Sequence, residues 1–212
     1  MLSVLRGAIE ARDPSTQGHS ARVTAIAEAI ARRLGWEEAR LALLRVGGPL
    51  HDIGKLGISD DVLRKRGRLD ADELAVIREH PALGAKILLR LAAFRGAIPY
   101  VLYHHERWDG TGYPTGRSGE EIPVEARVLA IADAFDAMTS DRPYRRALSH
   151  DEAVAEVERC AGTQFDPDLV AIFVELFGDP EQLSDAPLRR DTSATVSDTD
   201  ATSRRAGIVD RP

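Results

Sequence analysis

"HSARVTAIAEAIARRLG", residues 19–35, decides how this chain folds. Val23, Ile26, Ala27, Ile30 and Leu34 recur at intervals of three and four, the spacing of one helix face and not the alternation of a strand. Gly35 supplies a stop. The same period continues outward. "EEARLALLRVGGPLHDIGK", residues 37–55, reads as a second helix, with Gly47, Gly48 and Pro49 weakening or kinking it. "DADELAVIREHPALGAKILLRL", residues 70–91, gives a third and a fourth, broken at Pro81, so that His80 ends the earlier one. "IPVEARVLAIADAFDAMTS", residues 122–140, is a strong helix after a proline turn. Ser149 and Glu152 stand at capping-box spacing before another. A last helix starts at Asp166-Pro167 and stops at Gly178. No alternating run is long enough to build a sheet. The expectation is an all-α helical bundle over residues 1–180. From 181 to 212 the residues turn to Ser, Thr, Asp, Arg and Ala without periodicity, which predicts a disordered polar tail.

The totals set limits on function. The chain has 212 residues, 43% hydrophobic and 29% charged, an ordinary globular balance. A net charge of −6 argues against bulk binding of a nucleic acid polymer, which favours a basic face. The single cysteine, Cys160, excludes an intrachain disulfide and suits a reducing compartment. No run approaches the ~20 apolar residues that span a bilayer, and the first residues do not read as a signal peptide. A cytoplasmic location is expected.

The histidines carry the chemistry. There are six, at 19, 51, 80, 104, 105 and 150. His51 and Asp52 are adjacent at the end of an apolar helix, and Gly54 lets Lys55 double back. Imidazole nitrogen and carboxylate oxygen are the donors that divalent metals prefer, and a carboxylate has two oxygens with which to bridge two ions. His19 opens the first long helix. Asp133 lies among apolar neighbours and needs a partner, since a buried unpaired carboxylate is costly. Asp136 shares its face and reads as bonded to a nearby loop. Together His19, His51, Asp52, His80, His104, His105 and Asp133 are too many ligands for one ion but suit two. Paired ions of this kind serve in-line attack on phosphorus. His150 sits in the capping box and reads as exposed.

Six segments, in order, then resemble a known family: "RDPSTQGHSARV", "HDIGK", "EHPALGAKIL", "HHERWDGTGYP", "GEEIPVEARVLAIADAFDAMTSDRPYR" and "FDPDLV". They are similar to those of the HD-GYP domains of bacteria, a branch of the HD phosphohydrolase superfamily, over residues 5–177. The resemblance implies a helical bundle of the HD type with a Gly/Pro-rich GYP loop and a binuclear or trinuclear metal centre. It implies a phosphodiesterase that cuts cyclic di-GMP to pGpG, with GMP as a further product, and iron or manganese as the native metal. It puts the metal ligands on the seven residues already assembled, the adjacent histidines on separate ions. His51, Asp52 and Lys55 are the catalytic candidates. Phosphate contacts fall on Lys55, Arg142 and Arg145, and the substrate wall on Gly112 and Tyr113. Gly110 and Gly112 allow positive φ and a close approach to ligand. Packing of the loop is the preferred reading for Trp108 and Tyr113, stacking on a guanine the other.

Three departures from the family pattern stand out. Ser15 replaces a glutamate carried by members with a third metal, so two ions are expected. "VGGPL" interrupts the helix before "HD" and is expected to loosen the pocket. Arg66 stands where proline is common. Two rival readings remain open: the same site acting on a mixed cyclic dinucleotide or another nucleotide, and a signalling module with little turnover. Filled ligand positions argue against the second. Since no sensor domain precedes the first motif, either the chain is a piece of a longer protein or its input comes from a separate regulatory protein. The first helix could pair two copies as a homodimer.

Overall fold

The computed structural model describes residues 1–13, 17–65, 67–141 and 146–179. Ser15, Arg66, Arg142, Arg145 and the tail from 181 lie outside them. Among the described residues no β-strand forms, and the architecture is all-α, as the periodicity predicts. The order is α1 (Leu2–Arg12), α2 (His19–Arg33), α3 (Glu38–Leu50), a 3₁₀ turn (Ile53–Gly57), α4 (Asp60–Leu63), α5 (Ala71–Ile77) and α6 (His80–Leu89). A second 3₁₀ turn (Ala92–Ala97), α7 (Ile98–Tyr103), α8 (Val124–Thr139), α9 (His150–Arg159) and α10 (Pro167–Phe177) follow. No helix among the described residues is long and apolar enough to cross a membrane.

Two apolar clusters hold these helices. In the larger, the predicted face of α2 (Val23, Ile26, Ile30) meets Leu44 of α3, Leu129 and Phe135 of α8, Val157 of α9 and Phe173 of α10. Each such buried side chain contributes roughly 1.5–3 kcal/mol relative to exposure. In the smaller, Ile9 of α1, Leu50, Ile53, Leu88 of α6, Phe94 and Val101 pack together. Helix α7 joins the two: Tyr100 belongs to the first and Val101 to the second. The sequence period marks no helix over 98–103, because six residues are too few to show one. Burial of Tyr100 and Val101 stabilises it instead.

Local signals set several ends. Ser149 and Glu152 form the expected reciprocal capping box at α9. Asp166 caps α10 and Gly178 follows it. Two expectations change. His80 opens α6 and does not end α5: the chain turns after Ile77, and Pro81 falls in the first turn of α6, where its missing N–H costs nothing. Helix α3 also runs unbroken through Gly47, Gly48 and Pro49. A Cβ at Gly47 would run into the Tyr100 ring, and one at Gly48 into Thr24. The two glycines therefore let α7 and α2 pack close against α3, where a broken helix was expected.

Candidate metal centre

The seven predicted ligands come from distant stretches and converge. One donor atom from each of His80, His104 and His105 lies within 4.8 Å of the others; the same holds for His19, His51 and Asp133, and for His51, Asp52 and His104. The helix ends make this possible. His19 and His80 begin α2 and α6, His51 follows α3, and His104 follows α7. Gly54 lets the His51–Asp52 turn reach α6, for a Cβ there would overlap the His80 carbonyl.

Three of the histidines are aimed by one local device. Nδ1 of His51 donates to the Gly48 carbonyl at 2.7 Å, that of His80 to Ile77 at 2.8 Å, and that of His104 to Val101 at 3.0 Å. A carbonyl only accepts, so each Nδ1 carries the proton and Nε2 is left to take a metal. His19 is aimed differently. Its Nδ1 meets Asp136 Oδ2 at 2.7 Å, and its Nε2 lies 3.1 Å from Asp133 Oδ1. Asp136 is itself held by Arg22, through Nε at 2.5 Å and Nη2 at 3.0 Å. The expected loop partner of Asp136 is thus replaced by α2, 114 to 117 positions away in the chain. Its i+3 spacing from Asp133 was the available signal.

The donors face one another without enough protons to share. His80 Nε2 and His104 Nε2, both acceptors in this arrangement, stand 3.3 Å apart. Asp52 Oδ1 is likewise 3.4 Å from His80 Nε2, whereas Asp52 Oδ2 meets His51 Nε2 at 3.3 Å and the Lys55 ammonium at 2.9 Å. A cation among them would relieve this crowding of lone pairs, and imidazole with carboxylate is a donor set that divalent ions accept. The residues therefore fit a metal.

Electrostatics divide the site. Burial outweighs the opposing pull of Asp52 and holds His80 down to about 4, and burial and His80 press His105 to about 3. Burial and His105 likewise hold His104 well below its ordinary value. On the other side, burial opposes protonation of His19, but Asp133 and Asp136 outweigh it and raise it to about 9. His51 is raised in the same way by Asp52. Burial opposes ionisation of Asp52, yet Lys55 and His51 hold it well below the usual carboxylate range. Lys55, buried, places Nζ 2.9 Å from Asp52 and 3.2 Å from Asp13. Asp13, at the end of α1, carries no sequence signal for this part.

The GYP loop returns onto its own start. Tyr113 N–H donates to the His105 carbonyl at 3.2 Å, and its ring stacks on the His105 ring, centroids 4.8 Å apart. The Arg78 guanidinium rests over Tyr113 at 5.3 Å. Gly110 has the expected positive φ, 78°. Gly112 does not; its bare Cα lets it pack on the Glu106–Arg107 backbone. Trp108 is tied into the fold, its backbone N–H donating to the Gln164 carbonyl at 3.1 Å. His104 and His105, expected on separate ions, share one group, and His104 is also grouped with His51 and Asp52. His150 is half-buried and not exposed: its Nε2 meets the Phe177 carbonyl at 2.6 Å, closing α10 onto α9.

Known proteins resemble this chain. The family model for the HD domain matches residues 3–169. The cyclic di-GMP phosphodiesterase response regulator RpfG of Xanthomonas campestris is 43% identical over 173 residues, 80% of this chain and 45% of that protein. The 3'3'-cGAMP-specific phosphodiesterase 3 of Vibrio cholerae is 42% identical over 163 residues, 77% of this chain and 35% of that one. A crystal structure of a cyclic GMP-AMP-specific phosphodiesterase of Vibrio cholerae, V-cGAP3, superposes with a TM-score of 0.66 over 87% of this chain and 50% of that one, at 24% identity, a likeness of fold. The chain spans less than half the length of these two curated relatives. With the match running through every element that carries a candidate ligand, the chain belongs to the HD-domain family, in the HD-GYP branch that its motifs spell.

Proposed function

We propose that this chain is a phosphodiesterase that hydrolyses cyclic di-GMP at a two-ion centre held by His19, His51, Asp52, His80, His104, His105 and Asp133. The observation that carries this reading is Asp52: one carboxylate oxygen faces His51 at 3.3 Å and the other faces His80 at 3.4 Å, so a single side chain addresses both ligand groups. Two divalent ions bound there, iron or manganese, would supply Lewis acidity at phosphorus and activate water. The protein's own part is orientation and charge. The Gly48, Ile77 and Val101 carbonyls and Asp136 fix the ligand rings. Lys55 offsets negative charge on the phosphoryl oxygens, aided by Arg142 and Arg145 of "DRPYR". Gly112 and Tyr113 wall the pocket. Water adds to phosphorus, the bond to the 3′ oxygen breaks, and that oxygen takes a proton, giving pGpG; a second hydrolysis gives GMP.

The test is turnover by protein purified without oxygen and loaded with Mn²⁺ or Fe²⁺, with pGpG and GMP followed by chromatography. Asp52→Ala is expected to lower the rate at least ~1,000-fold, as removal of a group acting at the reacting centre does. Absence of turnover in the fully loaded parent would overturn the reading. A mixed cyclic dinucleotide is the second reading, favoured by the 42% identity to the cGAMP-specific enzyme. Running both substrates side by side separates the two.

A further inference from the structure

Glu106 follows the histidine pair and has no role in the chemistry above. It is 4% exposed. Oε1 accepts two hydrogen bonds from Thr115, from N at 2.7 Å and from Oγ1 at 2.6 Å. Thr115 follows Tyr113 and Pro114, so Glu106 grips the loop where Tyr113 has just been laid on His105. Oε2 is also buried, with no partner among the described residues, and so is Nε of Arg127 on α8. A buried polar atom without a partner costs about 1–3 kcal/mol, so two of them in one place call for an explanation. Both residues line one small cavity behind the loop, together with Trp108, Gln164 and Asp166. It has room for roughly one water, and a water needs two to four polar partners. Arg127 is meanwhile fixed by Asp166 at 2.5 Å, the cap of α10.

We infer that Glu106 is a positioning residue for the His105 side of the metal centre, latching Thr115 with one oxygen and sharing a buried water with Arg127 through the other. The latch ties the GYP loop to α8 and α10, and it keeps Tyr113 stacked on His105. A carboxylate is needed because it accepts on both sides; an amide would turn an N–H toward one of them. This inference rests on the two-ion reading. It concerns how the ligand is held and not the substrate.

The test reads metal and not rate. Mn²⁺ binding is titrated for the parent, Glu106→Ala and Glu106→Gln, with metal counted per chain and melting followed in the metal-free proteins. Two equivalents in the parent establish the frame; none would sink the two-ion reading and this inference with it. The expected result is that one equivalent weakens ~10–100-fold in Glu106→Ala, the range for groups that support a ligand, while the other holds. Glu106→Gln keeps the volume and an acceptor for Thr115, so it should fold as the parent and weaken that equivalent by a smaller factor. If Glu106→Ala fails to fold, the Gln variant decides. Equal loss at both equivalents would mark a merely structural role, and unchanged binding in the Gln variant would also overturn the inference.

Discussion

The two ends of the metal centre are built on different principles. At one end stand three imidazoles, His80, His104 and His105. Two of them are aimed by the carbonyl three residues earlier, and burial keeps all three rings neutral. At the other end His19 and His51 meet Asp133, and His19 is aimed by Asp136 from α8. There the carboxylates draw protons onto the rings. One end is ready for a cation as it stands. The other must give up a proton first, and it depends on a contact between helices far apart in the chain. Asp52, with an oxygen toward each, joins them.

The sharpest break in this comparison is Gly54→Ala. A methyl there would overlap the His80 carbonyl and lie 2.6 Å from Gly84 N, forcing the Asp52 turn away from α6. A loss of about 3 kcal/mol is expected in denaturant melts, with the two ends uncoupled and turnover abolished. Asp136→Asn acts on one end alone. It weakens the orientation of His19, so metal affinity there should fall ~10–100-fold while the three-imidazole end keeps its own, as read by Mn²⁺ titration. Equal weakening would mean that the ends are not independent.

Acidity sharpens the same contrast. With His19 at about 9, its proton competes with the metal at lower pH. Affinity at that end should therefore rise with pH, by at least about tenfold per unit from pH 6 toward 9 and more steeply where the His51 proton is displaced too, and then level off. His80 at about 4 and His105 at about 3 have no proton to lose in this window, so affinity at their end stays flat. Titrations at four pH values decide it, and two parallel slopes would end the distinction. The smallest effect is expected from Ser149→Ala, which removes the cap of α9. It should cost ~1 kcal/mol of stability and leave both metal equivalents as they are.

What could be read from the residues follows from how far each device reaches. The face of α2, the caps of α9 and α10 and the all-α class are set within a few residues, so periodicity and capping spacing display them. The seven converging donors were legible because buried carboxylates and clustered imidazoles are costly without a shared purpose, and because the motifs of the resemblance named the same positions. The role of Gly47 and Gly48 was not legible. A glycine inside a helix weakens it when nothing packs there, and only the positions of Tyr100 and Thr24 show that something does. His150 and Asp136 misled for the same reason: each has its partner on another helix.

The sequence by itself determined the helical class and the ligand types, since hydrophobic period and side-chain chemistry are written residue by residue. The tertiary structure alone decided that Asp52 faces both groups, that Asp136 aims His19, and that Glu106 closes the GYP loop. These are contacts between elements. Their distances are set by how closely α2, α3, α6 and α7 pack, and no local pattern encodes that closeness.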